Sequence, residues 1–323
     1  MSRIIGVVDS FQTEAHKKQM EEIGSRYGFT FRYYKDDEEA MQSIADCEIL
    51  YSHSDPAVLK AAKNLKWFCC DFAGVDKYLS DDVYCNADCI LTNSSGAYGT
   101  TIAEHLVMVA LMLLRRMPEY EQIVKARRWD NLDSIRSIHG LHITVLGTGD
   151  IGTNFARRAK AMGAAKVVGV RRSQGDFDKS AYDEMYTIDR LDEILPQTEM
   201  LVMCLPSTPA TVGILSRERI ALLRKDAYVI NIGRGTAIDQ DALMEALNAD
   251  KIAGAALDVM MPEPLPVDHP LWETKNTILT PHISGNMTLG YTCDLDVNMF
   301  CEDLINYAEG KPLQHVVDRK RGY

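Results

Sequence analysis

Short apolar runs alternate with amphipathic stretches from one end of the chain to the other. Ile4–Val8, Phe29–Tyr34, Ile49–Tyr51, Trp67–Cys70 and Ile90–Leu91 are compact runs that read as strands. Between them, Glu14–Tyr27 and Pro56–Asn64 carry apolar residues at helical spacing. Alternation of this kind implies a parallel sheet with helices on its faces. Thr100–Arg116 is different: it predicts one long helix, with Thr100 and Thr101 as candidate caps, Glu104 in its first turn and Arg115-Arg116 at its end. Such a helix could connect two domains.

A second series of strands follows at His142–Leu146, Lys166–Val170, Met200–Leu205, Ala227–Ile232, Gly254–Val259 and Thr277–Leu279, again with helical stretches between. Six strands in this order suit a complete doubly wound nucleotide domain, so the expected fold is α/β with two doubly wound parallel sheets. A last helix is expected from Thr292 to Glu309, stopped by Gly310.

The second series opens on Gly147-Thr148-Gly149-Asp150-Ile151-Gly152, set between the strand His142–Leu146 and a helical stretch. Glycine suits the tight turn at Gly147, close backbone approach to a pyrophosphate at Gly149, and helix–strand packing at Gly152. In this context the loop reads as dinucleotide-binding, with helix N–H groups facing the phosphates. An acid that holds the ribose hydroxyls is expected about 20 residues further on. Arg171-Arg172 stand there instead, which favours NADP(H), with NAD(H) as the alternative.

Composition narrows the partners. The chain has 323 residues, 46% of them apolar, and 35 basic against 46 acidic side chains for a net charge of −11. That is a globular composition without the overall basic character of a duplex-binding protein, so no nucleic-acid partner is expected. The longest apolar run, Leu106 to Leu114, is far shorter than the roughly 20 residues of a spanning helix, and no membrane partner is expected either. Met1 to Gly6 runs straight into strand-like sequence with no basic leader, which points to the cytoplasm. The eight cysteines form no paired CxxC set, so reduced thiols are expected and a metal site is not.

Three polar residues stand at the ends of predicted strands, where ligands of open α/β sheets bind. They are Arg234 in Asn231–Gly235, Glu263 in Asp258–Pro264 and His282 in Pro281–Gly285. Each alone could be a surface or structural residue; together, behind a dinucleotide loop, they suggest a catalytic set. His53, at the end of a strand in the first half, is a further place that could face a substrate. His139 and His142 read as exposed, and His105 as a helix-packing residue.

These residues resemble the D-isomer-specific 2-hydroxyacid dehydrogenases, a family that includes glyoxylate/hydroxypyruvate reductases, D-lactate dehydrogenases and phosphoglycerate dehydrogenases. The resemblance runs from Phe72-Ala73-Gly74-Val75-Asp76 through Thr101–His105, the glycine loop and Asn231–Gly235 to Pro281–Gly285. It implies that Arg234 binds the substrate carboxylate and carbonyl, that His282 is the acid/base, and that Glu263 is its carboxylate partner. It further implies that Asp258 lies near the nicotinamide carboxamide and that Ala73 and Gly74 hold the substrate carboxylate through main-chain N–H groups. Ile102, Cys204-Leu205-Pro206 and Ile232-Gly233 correspond to cofactor contacts. Glu263 stands where formate dehydrogenases of this superfamily have Gln, which favours keto-acid chemistry.

The resemblance also implies a flavodoxin-like substrate domain from residues 1–98 and 286–323, with a Rossmann domain, 99–285, inserted into it. The expected activity is NADPH-dependent reduction of a small 2-keto acid to a D-2-hydroxy acid, glyoxylate or hydroxypyruvate leading, by a homodimer joined through the nucleotide domain. The alternatives are an NAD-dependent enzyme of D-lactate or phosphoglycerate type, and a non-catalytic dinucleotide-sensing corepressor on the same fold.

Overall fold

The computed structural model describes residues 3–8 and 11–322; Met1 and Ser2, at the start of the stretch read as leader-free, lie outside them. The chain divides into two compact units. One contains the residues up to Tyr98 together with those from Asn286 onward, and the other is Gly99–Gly285.

The first unit holds β1 (Arg3–Val8), β2 (Phe29–Tyr34), β3 (Ile49–Ser52), β4 (Trp67–Cys70) and β5 (Ile90–Asn93) in the order β2-β1-β3-β4-β5. All four pairings are parallel, and the order is flavodoxin-like. β3 and β4 are buried along their whole length, as expected of strands covered on both faces. The helices Glu14–Arg26 and Gly290–Ala308 pack together beside this sheet. On that side Phe300 stacks on Tyr51, with ring centroids 4.4 Å apart.

The second unit holds β6 (His142–Leu146), β7 (Lys166–Arg171), β8 (Glu184–Thr187), β9 (Met200–Met203), β10 (Tyr228–Asn231), β11 (Gly254–Leu257) and β12 (Thr277–Leu279). Their order is β12-β11-β10-β9-β6-β7-β8, parallel throughout. This is a Rossmann sheet with the order reversing between β6 and β9, the place where ligands of such sheets bind.

Two expectations need correcting. The sheet has seven strands rather than six, because Glu184–Thr187 pairs with β7. All four of its residues are only half-buried, so an edge strand of this kind carries no apolar run. The long helix spans Gly99–Leu114, which puts Thr100 and Thr101 inside its first turn rather than at its cap. Its first N–H group, that of Gly99, is taken by the carboxylate of Asp150 from the neighbouring helix. After Leu114, Arg116 adopts φ 58° and the chain starts a second helix, Met117–Lys125. Among the described residues no helix is long and apolar enough to cross a membrane.

Candidate active site

After β6 the chain turns through Gly147 into the helix Asp150–Ala161. Gly147 has φ 91°, and a Cβ there would lie 2.5 Å from the Cys204 carbonyl oxygen. At Gly152 a Cβ would lie 2.0 Å from the Gly147 carbonyl oxygen, so the helix can sit this close to the turn only without a side chain. Gly149 is the opposite case, since a Cβ there would meet nothing within 4 Å. Gly149 also caps the helix without any side-chain hydrogen bond. First-turn N–H groups have no partner inside a helix, so those of Asp150, Ile151 and Gly152 suit an anion brought close to Gly149. These residues fit the diphosphate of a dinucleotide.

The side chains of the loop turn elsewhere. The Asp150 carboxylate accepts from Asn154 Nδ2 at 2.9 Å as well as from Gly99, and burial raises its pKa. What Asp150 leaves for a ligand is its main chain. The Thr148 carbonyl accepts from Thr153 Oγ1 at 3.1 Å.

At the end of β7 the two arginines part company. Arg171 Nη2 donates to the carbonyls of Gly175 and Asp176, folding the following loop back, while its Nε is buried without a partner. Arg172 is exposed. After β9 and β10, Leu205 and Gly233 come so close that a Cβ on Gly233 would lie 2.5 Å from the Leu205 carbonyl oxygen. Ile102, Leu205 and Ile232 are buried, whereas Cys204 and Pro206 are half-exposed beside them.

Arg234, Glu263 and His282 lie on the loops that follow β10, β11 and β12, three neighbouring strands of one sheet. The fully buried Asn231 fixes the turn that presents Arg234: its Oδ1 accepts from Gly233 N at 3.0 Å and its Nδ2 donates to the Arg234 carbonyl at 2.9 Å. Arg234 Nη1 donates to the Gly233 carbonyl at 2.7 Å. Glu263 Oε1 accepts from Met260 N at 2.9 Å, which leaves Oε2 to meet His282 Nδ1 at 2.8 Å. His282 itself stands at φ 52°, a region few side-chain-bearing residues adopt, and its ring is half-exposed.

Asp258 explains how that backbone is held. The resemblance places it near the carboxamide, but the structure commits both of its carboxylate oxygens to protein. Oδ1 accepts from Thr280 Oγ1 at 2.6 Å and Ile283 N at 2.9 Å, and Oδ2 accepts from Ser284 N at 3.0 Å. Its carbonyl takes the N–H of His282. Burial alone would raise the Asp258 pKa, yet the donors from Ser284, Thr280 and Ile283 hold it below the usual carboxylate value. His105 Nε2 lies 3.4 Å from the same Thr280 hydroxyl. Thr280 went unnoticed in the sequence, and Asn231 and Ser284 were read only as members of the Arg234 and His282 motifs; for Asn231 and Thr280 the available signal was a polar residue directly after a strand's apolar run.

Ala73 and Gly74 follow β4 in the other unit, where the Ala73 carbonyl accepts from Asn93 Nδ2 at 2.7 Å and Gly74 is exposed. His53 lies at the end of β3 in that unit, with Nδ1 3.0 Å from Asp71 Oδ1.

Residues 107–284 match the family model for the NAD-binding domain of D-isomer-specific 2-hydroxyacid dehydrogenases. The glyoxylate/hydroxypyruvate reductase A of Escherichia fergusonii is 30% identical over 83% of this chain and 85% of its own. A D-isomer-specific 2-hydroxyacid dehydrogenase family protein from Aeromonas salmonicida superposes with a TM-score of 0.85 and 31% identity, over 99% of this chain and 100% of that one. The NADPH-dependent glyoxylate/hydroxypyruvate reductase of Sinorhizobium meliloti, solved with NADP and sulfate, gives a TM-score of 0.82 and 27% identity over 99% and 100%. The fold and the ordered site motifs define a two-unit α/β protein with a Rossmann sheet. The chain belongs to the D-isomer-specific 2-hydroxyacid dehydrogenase family.

Proposed function

We propose that this protein reduces small 2-keto acids to D-2-hydroxy acids with NADPH, with glyoxylate and hydroxypyruvate as the leading substrates. The observation that carries the reading is the 2.8 Å His282–Glu263 pair, on the same sheet edge as the Arg234 turn. The bound reduced nicotinamide supplies the hydride. As negative charge builds on the keto oxygen, His282 gives up the proton of Nε2, while Glu263 holds Nδ1 and fixes the ring. Arg234 receives the substrate carboxylate through its planar fork. Asp258 positions His282 by tethering the segment that carries it.

The N–H groups from Asp150 to Gly152 hold the diphosphate. Arg172 faces the ribose phosphate while Arg171 shapes its loop; NADP in the S. meliloti relative supports this preference. Several exposed apolar side chains between Met108 and Ile135, among them Met117, Val124 and a fully exposed Trp129, support a homodimer joined through the nucleotide unit.

The test is consumption of NADPH and NADH with a panel of 2-keto acids, for the wild type, His282→Ala and Arg234→Ala. Turnover that both substitutions abolish is the expected result. No turnover with any acid, or full rates in both variants, overturns the reading. Equal kcat/KM with the two cofactors overturns the NADPH preference alone.

A further inference from the structure

β12 ends at Leu279, and Thr280 carries its pairing with β11 one residue further. Its N–H donates to the Leu257 carbonyl at 3.0 Å, and its own carbonyl accepts from His282 N at 2.9 Å. The main chain of Thr280 is thus paired at both ends, and the hydroxyl is not needed to hold the strand. Valine has nearly the same shape, suits a half-buried strand end equally well and would leave no polar group to satisfy. The hydroxyl instead gives its one proton to Asp258 Oδ1, at 2.6 Å.

That bond has a particular place in the chain. The other donors to the buried Asp258 carboxylate are Ile283 N and Ser284 N, directly after His282, whereas Thr280 precedes it. One anion therefore grips the segment on both sides of His282, the residue at φ 52°. Without the Thr280 hydroxyl it grips one side only. Behind Thr280 stands His105, on the helix Gly99–Leu114, which packs against β10 and β11 in the same unit. Its Nε2 lies 3.4 Å from the Thr280 oxygen, and because the hydroxyl proton is already given to a carboxylate, the histidine is the donor. Burial lowers the His105 pKa, in keeping with a neutral ring that carries its proton on Nε2. We propose that Thr280 is a positioning residue for the acid/base: its hydroxyl, backed by His105, holds His282 in the backbone conformation from which Nδ1 meets Glu263. A reacting group displaced by about 1 Å can cost about 100-fold in rate.

This inference rests on the reductase reading above, and one set of measurements keeps the two apart. With NADPH and the 2-keto acid turned over fastest, kcat and KM are measured for the wild type, Thr280→Val, Thr280→Ser and His105→Leu, and NADPH binding is followed by fluorescence. Thr280→Val is expected to lose about 10- to 100-fold in kcat, the range of a hydrogen bond to a charged group, and His105→Leu about 2- to 10-fold. KM and the NADPH Kd should stay within about twofold of the wild type, because the group displaced acts in the transition state. Thr280→Ser, which keeps the hydroxyl, should restore most of the rate. An unchanged kcat in Thr280→Val, an equal loss in Thr280→Ser, or a loss carried by KM and Kd overturns the role of Thr280 and leaves the reductase reading standing. No loss in His105→Leu removes the backing by His105. A wild type inactive on every acid overturns both readings. Should Thr280→Val unfold, His105→Leu decides by the same split between kcat and Kd.

Discussion

At the carboxyl edge of each parallel sheet a histidine meets a carboxylate through Nδ1, and the two pairs are built in opposite ways. Glu263 comes from an irregular loop and is 35% exposed, and His282 sits on a left-handed backbone tied down by Asp258. Asp71 follows directly on a strand and is fully buried, and strand register sets His53 beside it, with the Phe72 ring edge-on to the imidazole. A partly hydrated pair can change its protonation state at modest cost, which suits a group that gives up and regains a proton in each turnover. A carboxylate out of water must keep its compensation, so it fixes the charge and orientation of its partner. Similar ingredients thus give a half-exposed pair in one unit and a pair anchored on a buried carboxylate in the other.

The sharpest way to break this comparison is to remove each imidazole and measure glyoxylate reduction. His282→Ala should lower kcat by about 10²- to 10⁴-fold, the usual contribution of a positioned acid, whereas His53→Ala should leave kcat unchanged. Comparable losses in both would show that the two pairs do not divide the work.

The next largest effect concerns the buried polar layer behind Asp71. The Tyr51 hydroxyl bonds to Asp296, whose carboxyl is pushed up to about 8, chiefly by burial and further by the charge of Asp71, against the bonds from Ser94 and Tyr51. A folded-state pKa raised above the unfolded value of 3.8 stabilises the fold fully below about pH 4, and the contribution is lost as pH rises towards 8. The His53 pKa, raised chiefly by the hydrogen bond to Asp71, acts in the same sense, with its share present below about 6.5 and lost above it. Urea midpoints of the wild type should fall between pH 4 and 8, and Asp296→Asn should flatten that fall. Parallel curves for the two proteins would remove Asp296 from the account.

A smaller effect tests burial directly. Asp71→Asn should destabilise the protein by about 1–3 kcal/mol in urea unfolding, because a hydrogen-bonded buried charge is lost. Glu263→Gln, at an exposed position, should change stability by no more than about 0.5 kcal/mol while lowering kcat. A reversed order would mean that exposure does not distinguish the pairs.

How much of this was legible in the sequence follows the same division. Strands such as Trp67–Cys70 and the turn Gly147–Gly152 were readable, because apolar runs and obligatory glycines are local signals. The same motifs pointed to Arg234, Glu263 and His282. The edge strand Glu184–Thr187 was not readable, since a half-buried strand without alternation looks like a loop. Nor were the partners of His53 and Asp258, because pairing across strands depends on register that no local pattern encodes. Asp150 shows the limit most clearly: its place in the glycine loop suggested a cofactor contact, but its carboxylate caps a different helix.

The two arginines at the end of β7 repeat a contrast of exposure at the scale of one dipeptide, Arg171 being half-buried and Arg172 exposed. Arg171 is bound to the carbonyls of Gly175 and Asp176, so its loss should loosen the loop and weaken both cofactors alike. Arg172 is exposed at the same strand end, and a charge-assisted hydrogen bond to a ribose phosphate would exist only with NADP(H). Arg172→Ala should therefore reduce the NADPH-to-NADH ratio of kcat/KM by about tenfold, the lower end for such a bond, and Arg171→Ala should leave the ratio unchanged. If the ratio instead collapses in Arg171→Ala and holds in Arg172→Ala, the tied arginine is the one that reads the phosphate. The loop after β7 would then have to open for the cofactor to bind.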